Sequence, residues 1–227
     1  MGSLKSYIKN HLILALDITN LRKAIDIAVS CAPYLDAIKI GLPTVVYCGL
    51  KIIKRLKTLV DLPIIADFKI ADICYIAKKN VQAAFKAGAD AITVWGFVGP
   101  TTIEMCLEEA NRERDVIILT ELTHSDAKFF MQPVAENIVR MAKELEVSGI
   151  QAPGTRPQRI RKFREIVGKD MLILACGIGV QGGEYGTALM AGADFEIVGR
   201  AIYMEPNPSQ AAQRISNMLK AGILSRK

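Results

Sequence analysis

Cysteine is scarce and unpatterned in this chain. The five residues, Cys31, Cys48, Cys74, Cys106 and Cys176, form no C-x-x-C pair and are odd in number. That argues against a disulfide framework and a cysteine zinc site, and for a reducing, cytoplasmic compartment. Only two histidines occur, His11 and His124, too few for a histidine-rich metal centre. No apolar run reaches the ~18 residues of a membrane-spanning helix, and the N-terminus lacks the apolar core of a signal peptide. Met1-Gly2-Ser3-Leu4-Lys5-Ser6 fits the permissive myristoylation pattern, read here as coincidence or a cloning scar. Charged residues make up 23% and hydrophobic ones 51%, which excludes a disordered or collagen-like chain. The balance of 29 basic against 23 acidic residues favours anionic ligands. It is too mild for a nucleic-acid or membrane partner.

What the chain has instead is a recurring short apolar run. Segments at 12–17, 37–40, 63–67, 91–95, 116–120, 149–152, 172–176 and 195–199 are rich in Ile, Val and Leu. Continuous apolarity, rather than alternation, marks parallel strands covered on both faces. Between them lie helix-spaced stretches, with Ile52, Ile53, Leu56 and Leu59 on one face and Ile138, Met141, Ala142 and Leu145 on another. Thr19 or Asn20 can cap the first helix, and Pro43 and Pro157 sit where helices can begin. Eight strands alternating with helices predict an α/β fold, a (β/α)₈ TIM barrel forming a single domain over residues 1–227. An open doubly wound sheet is the competitor. The segments KAGADAITV (86–94) and MAGADFEIV (190–198) repeat one helix-to-strand junction half the chain apart, which favours the barrel.

Barrel active sites lie where strands end. Strand 1 ends in Asp17, strand 2 near Lys39, and strand 3 in Asp67-Phe68-Lys69, with Asp72 close behind. Residues i and i+2 of a strand share a side, so Asp67 and Lys69 are expected to point together into the mouth. Buried charges there must pair with one another or with a ligand; a purely structural ion-pair cluster is the plainer alternative. Strand 7 runs into CGIGVQGGEYG (176–186) and strand 8 into VGRAIY (198–203). Loops at these positions commonly bind phosphate through backbone N–H groups. Gly177, Gly179, Gly182 and Gly183 allow close approach of an anion, and Arg200 adds a charge-assisted contact. The plainer reading is a flexible turn.

These residues resemble orotidine 5′-monophosphate decarboxylases of the archaeal type. Asp67-Phe68-Lys69-Ile70-Ala71-Asp72, preceded by ALD (15–17) and IKIG (38–41), carries the likeness, and FKAGADAI, GIQAPGTRP (149–157), GIGVQGG and VGRAIY follow in order. The D-x-K-x-x-D signature alone names only a superfamily of sugar-phosphate decarboxylating and condensing enzymes. The loop with Gln181, the lysine of IKIG and TELTH narrow it. The resemblance implies conversion of orotidine 5′-phosphate to UMP and CO₂, a step of pyrimidine biosynthesis, without metal or cofactor. It implies a catalytic array of Lys39, Asp67, Lys69 and Asp72. Lys69 is the proton donor, and Asp67 lies beside the departing carboxylate. It further implies substrate contacts from Asp17, Lys39, Thr123, Gly179, Val180, Gln181, Gly199 and Arg200, with 177–186 as a lid. Asp72 and Ile73 would reach into the neighbouring site of a homodimer. The chain departs from the family's habit at Cys74 and Ile76, the latter replacing a threonine that touches the neighbour's substrate, and at Trp95, Cys176 and Ser125-Asp126.

Other readings stay open at this stage. A magnesium-dependent decarboxylase or aldolase on the same scaffold would need a further carboxylate near strand 2, where Lys39 stands. A Schiff-base aldolase would use Lys39 or Lys69, although flanking carboxylates favour protonated, poorly nucleophilic amines. A non-catalytic nucleotide binder would have kept only the pocket. His124 is read as structural or solvated, Cys176 as a buried filler, RPQRIRKFR (156–164) as a solvated helix face, and Phe129, Phe130 and Met131 as packing of the loop after strand 5.

Overall fold

In the computed structural model, which describes residues 4–224, the apolar runs form eight strands. These are β1 (Leu12–Leu16), β2 (Ala37–Gly41), β3 (Ile64–Ile70), β4 (Ala91–Trp95), β5 (Asp115–Leu119), β6 (Gly149–Pro153), β7 (Leu172–Cys176) and β8 (Phe195–Val198). They pair in parallel in chain order, and β8 returns to β1, so the sheet closes on itself. The open-sheet alternative is thereby excluded. Met1, Gly2 and Ser3 of the myristoylation pattern lie outside the described residues.

Helices fill the connections: α1 (Leu21–Cys31), α2 (Leu42–Cys48), α3 (Lys51–Lys57), α4 (Cys74–Lys86), α5 (Pro100–Ala110), α6 (Ala127–Phe130), α7 (Ala135–Glu144), α8 (Pro157–Val167), α9 (Thr187–Met190), α10 (Arg200–Tyr203) and α11 (Pro208–Leu224). Asn20 caps α1, its Oδ1 accepting from the Lys23 N–H at 2.9 Å, while Pro157 opens α8. Leu59 falls just beyond α3 and is half exposed, so that apolar face stops at Leu56. Among the described residues no helix is long and apolar enough to cross a membrane.

Each strand is buried on both sides for a simple reason. Residues such as Ile13, Ile65, Ile117 and Leu172 fill the barrel interior, while Leu12, Leu14, Ile38 and Ile64 pack under the helices. The predicted repeat has a structural basis. Asp90, just before β4, accepts the Ile64 N–H at 2.7 Å and pairs with Lys57; Asp194, before β8, accepts the Ile173 N–H at 2.7 Å and pairs with Arg164 at 2.6 Å. Asp36 before β2 and Ser148 before β6 accept backbone N–H groups in the same way. Every second strand is thus tied at its N-terminal end to its predecessor. That end carries stability, which leaves the opposite end for chemistry.

Glu196 of β8 is the exception on the outer face. It is fully buried, and its carboxylate accepts the N–H groups of Gly186 (3.0 Å), Ala188 (3.1 Å) and Leu189 (3.4 Å). Burial pushes its pKa up from 4.5 to about 6, against the lowering effect of those three donors. A carboxyl raised on folding contributes its full stability below pH 4.5 and loses it as pH rises through 6. The loss amounts to about 2 kcal/mol. Glu196→Gln is therefore expected to remove this slope, so that wild-type urea midpoints fall relative to the variant between pH 4.5 and 7. Parallel curves would contradict the assignment.

Candidate active site

A cavity of about 250 Å³ opens at the C-terminal ends of the strands. A larger open groove of about 1000 Å³ runs between α1 and α3, on the outer ring and away from the strand ends. Lys39 reaches the strand-end cavity from β2, and Asp67 and Lys69 from β3. The Asp67 carboxylate is shared. Its Oδ2 accepts from the Lys39 and Lys69 ammonium groups, the latter at 2.6 Å, and its Oδ1 accepts from Thr93 Oγ1 at 2.9 Å. The expectation that these charges pair with one another is met.

Simple strand alternation does not produce this geometry. The pairing of β3 with β4 shifts register between Ala66 and Ile70, and Lys69 takes a left-handed backbone with φ 47°. A non-glycine residue in that conformation is strained. Here the Lys69 N–H donates to Thr93 Oγ1 at 2.9 Å, which holds the bulge. Thr93 thereby anchors both the acid and the lysine. It was not among the residues singled out from sequence.

The electrostatics follow from burial and proximity. Burial acts to raise the Asp67 pKa, but the two lysines override it and hold the carboxyl at about 2. Burial likewise acts to lower the Lys39 pKa, yet Asp67 and Asp17 lift it above the ordinary lysine value. Lys39 is thus a fixed cation. Asp17 stands at the end of β1, and a Cβ on Gly41 would collide with its carboxylate, so glycine there makes room for the acid.

The opposite side of the cavity is lined by Gly177, Val180, Gln181, Gly199, Arg200 and Tyr203. Gly177 and Gly179 have φ of 85° and 78°, conformations that glycine adopts without strain. The N–H groups of Gly179, Gly182 and Gly183 donate within the loop, to the carbonyls of Gly183 (2.7 Å), Gly179 (2.8 Å) and Gly177 (3.0 Å). These amides hold the loop's own turn. The Arg200 and Gln181 side chains line the cavity beside it.

Thr123 Oγ1 donates to Gln181 Oε1 at 2.6 Å, joining the loop after β5 to the loop after β7. The start of the basic run supports that contact from below, which corrects its reading as a solvated face. Arg156 donates to the carbonyls of Leu122 and Thr123, and both Arg156 and Arg159 pair with the buried Glu121. Arg164 is bound to backbone and Asp194, whereas Lys162 is on the exposed side. His124 is exposed, as expected. Cys176 is half-buried and lines the cavity rather than filling the core, and desolvation raises its thiol to about 11. Phe129 and Phe130 are largely exposed rather than packed.

Asp72 and Ile73 do not join the cluster of their own chain. Both are exposed, and the Asp72 carboxylate accepts only the adjacent Ile73 N–H, at 2.8 Å. Among the described residues no group of three or more His, Cys, Asp or Glu side chains converges in a way that could hold a metal. Gln151 and Tyr203 line the cavity without having been assigned a role from sequence. A polar residue at an inward position of the apolar run GIQA was the available signal for Gln151.

Comparison with known proteins shows the family. A family model described as orotidine 5′-phosphate decarboxylase / HUMPS family matches residues 10–215. The chain is 42% identical over 213 residues to the orotidine 5′-phosphate decarboxylase of Methanosarcina acetivorans, covering 93% of this chain and 96% of that protein. With the Thermococcus kodakarensis enzyme of the same name it is 44% identical over 207 residues, 91% and 95% of the two chains. The orotidine 5′-monophosphate decarboxylase of Methanocaldococcus jannaschii, crystallised with the inhibitor BMP, superposes with a TM-score of 0.87 at 39% identity, over 92% of this chain and 97% of that one. The Pyrococcus horikoshii structure gives 0.84 at 39% identity, over 92% and 99%.

Proposed function

Since the chain belongs to the orotidine 5′-phosphate decarboxylase / HUMPS family, we propose that it is a lyase converting orotidine 5′-phosphate to UMP and CO₂. The observation that carries this reading is one carboxylate, Asp67, held between two ammonium groups in a cavity whose far side presents Arg200 and Gln181. The phosphate binds Arg200, Gln181 and the turn at Gly179, Val180 and Gly199. The ribose hydroxyls meet Asp17 and Lys39, and the base meets Thr123. Carbon 6 then lies against Lys69.

The bond from carbon 6 to the carboxylate breaks, CO₂ departs, and the electron pair stays on carbon 6 in the ring plane. Ring carbonyls delocalise that pair poorly, so nearby positive charge must stabilise it. Lys69 Nζ supplies the charge and then a proton to carbon 6, and regains a proton from solvent. Asp67 holds that amine in place before the reaction, so little reorganisation is needed when charge develops. Binding energy at the remote phosphate drives closure of 177–186 over the site, with the Thr123–Gln181 hydrogen bond as its latch.

The active form is a homodimer, with Asp72 and Ile73 completing the neighbouring site. Val46, Tyr47, Ile73, Tyr75 and Phe97, around the consecutive ends of β2, β3 and β4, are each more than half exposed. An apolar patch of that kind supports burial by a second copy. Ile76, at 36% exposure on α4, offers apolar contact there in place of a hydroxyl. The enzyme acts in the cytoplasm, as a single domain without metal or cofactor.

The test is the loss of orotidylate ultraviolet absorbance, measured with and without EDTA. Turnover equal in both arms is expected. Binding of UMP without turnover would make the protein a nucleotide binder, and turnover abolished by EDTA would favour the magnesium-dependent reading.

A further inference from the structure

At the depth where Leu119 and Leu174 make the interior aliphatic, β6 places a glutamine between them. Gln151 is 6% exposed and lines the cavity together with Lys39, Asp67 and Lys69. Its Nε2 donates to Cys176 Sγ at 3.7 Å, and the thiol's own hydrogen goes to the Ala152 carbonyl at 3.4 Å. Its Oε1 has no partner. Among the described residues, only this atom and Arg156 Nε are buried side-chain polar atoms left so. The arginine's other nitrogens are engaged with Glu121, Leu122 and Thr123, away from the cavity floor.

A half-turn of the Gln151 amide offers no remedy. The sulfur would then face a carbonyl with its hydrogen already committed, and the NH₂ group would be stranded instead. A buried amide oxygen without a donor opposes folding. A donor brought into the cavity by a ligand, or a water there, satisfies it.

We infer that Gln151 is a specificity-determining residue for substituents on carbon 5 of the nucleotide's base: its amide oxygen bonds a donor placed there, whereas orotidylate and UMP, with hydrogen at carbon 5, leave it to water. This rests on the decarboxylase reading, which sets carbon 6 against Lys69 and the carbonyl-bearing edge against Thr123. The remaining ring position, carbon 5, then faces the barrel floor at β6. An acceptor oxygen there selects an amino group on carbon 5. It disfavours a methyl group of the same size, which would cover the oxygen without bonding to it.

Titration calorimetry with UMP, 5-aminouridine 5′-monophosphate and 5-methyluridine 5′-monophosphate tests this in the full chain. Wild type is expected to bind the amino compound about 10-fold or more tighter than the methyl compound. Gln151→Leu and Gln151→Met are expected to lose that preference without a fall in Tm. A glutamine with a purely structural role would instead lower Tm on replacement and leave the ratio untouched. A wild type with no preference, or a ratio unchanged in the variants, overturns the assignment while UMP binding leaves the decarboxylase reading standing. Failure of wild type to bind any of the three overturns both.

Discussion

Lys69→Ala is expected to lower kcat for orotidylate by roughly 10⁴-fold or more, with little change in Tm. General-acid catalysis contributes ~10²–10⁴-fold and a preorganised charge a further ~10²–10³-fold, and Lys69 is assigned both roles. The fold should survive because Lys69 is a third exposed and Asp67 keeps its bonds from Lys39 and Thr93. Stopped assays with orotidylate, alongside thermal melts, separate chemistry from stability. Near-normal kcat would remove the proposed mechanism. The same variant tests the composite site. Lys69→Ala and Asp72→Ala homodimers should each be inactive. After mixing and subunit exchange, random pairing places one intact site in half of the dimers. About a quarter of wild-type turnover should return. No recovery despite demonstrated exchange would mean that Asp72 acts within its own chain, and an active Asp72→Ala homodimer that it does not act at all.

Asp67→Ala is expected to damage fold and activity together. The carboxylate is 1% exposed and accepts three hydrogen bonds, two of them from ammonium groups. Its removal breaks the only ion pair of the buried Lys39 among the described residues and leaves it just the field of Asp17, a change that costs about 3–5 kcal/mol. In a chain of this size that is roughly 6–20 °C in Tm. The pH dependence follows from the two shifted groups. Asp67, depressed from 3.8 to about 2, contributes stability that is present above pH 3.8 and lost as pH falls toward 2. Lys39, raised above 10.5, contributes stability that is present below that pH and lost on going higher. The gap between wild type and variant should therefore be widest from about pH 4 to 10 and close at both ends. A variant as stable as wild type at pH 7 would show that this carboxylate does not hold the two amines in solution.

Much of this molecule is visible in its residue order. Eight apolar runs predict eight strands, and seven of them end within about a residue of the observed limits. Strands buried on both faces carry no alternation to misread. β3 is the exception. It runs on to Ile70 because pairing with β4 resumes there, after a register shift that takes Asp67 and Lys69 out of the ladder, and the left-handed turn at Lys69 has no local signature such as glycine. Glycines 179, 182 and 183 form the expected loop, but which way their N–H groups point is not legible in sequence, because amide direction depends on dihedral angles and not on composition. The arginines of 156–164 look like a charged surface in one dimension. Only the distant Glu121 turns two of them inward.

The barrel and the identity of its charged residues were settled by the linear pattern, since apolar periodicity and residue chemistry act locally. The three-dimensional fold decided how those charges are used. It set one acid between two lysines, bridged Thr123 to Gln181 across 58 positions, and stranded the Gln151 oxygen beside them. All but the Asp67–Lys69 contact depend on how segments far apart in the chain meet, and that long-range geometry exists only once the sheet has closed.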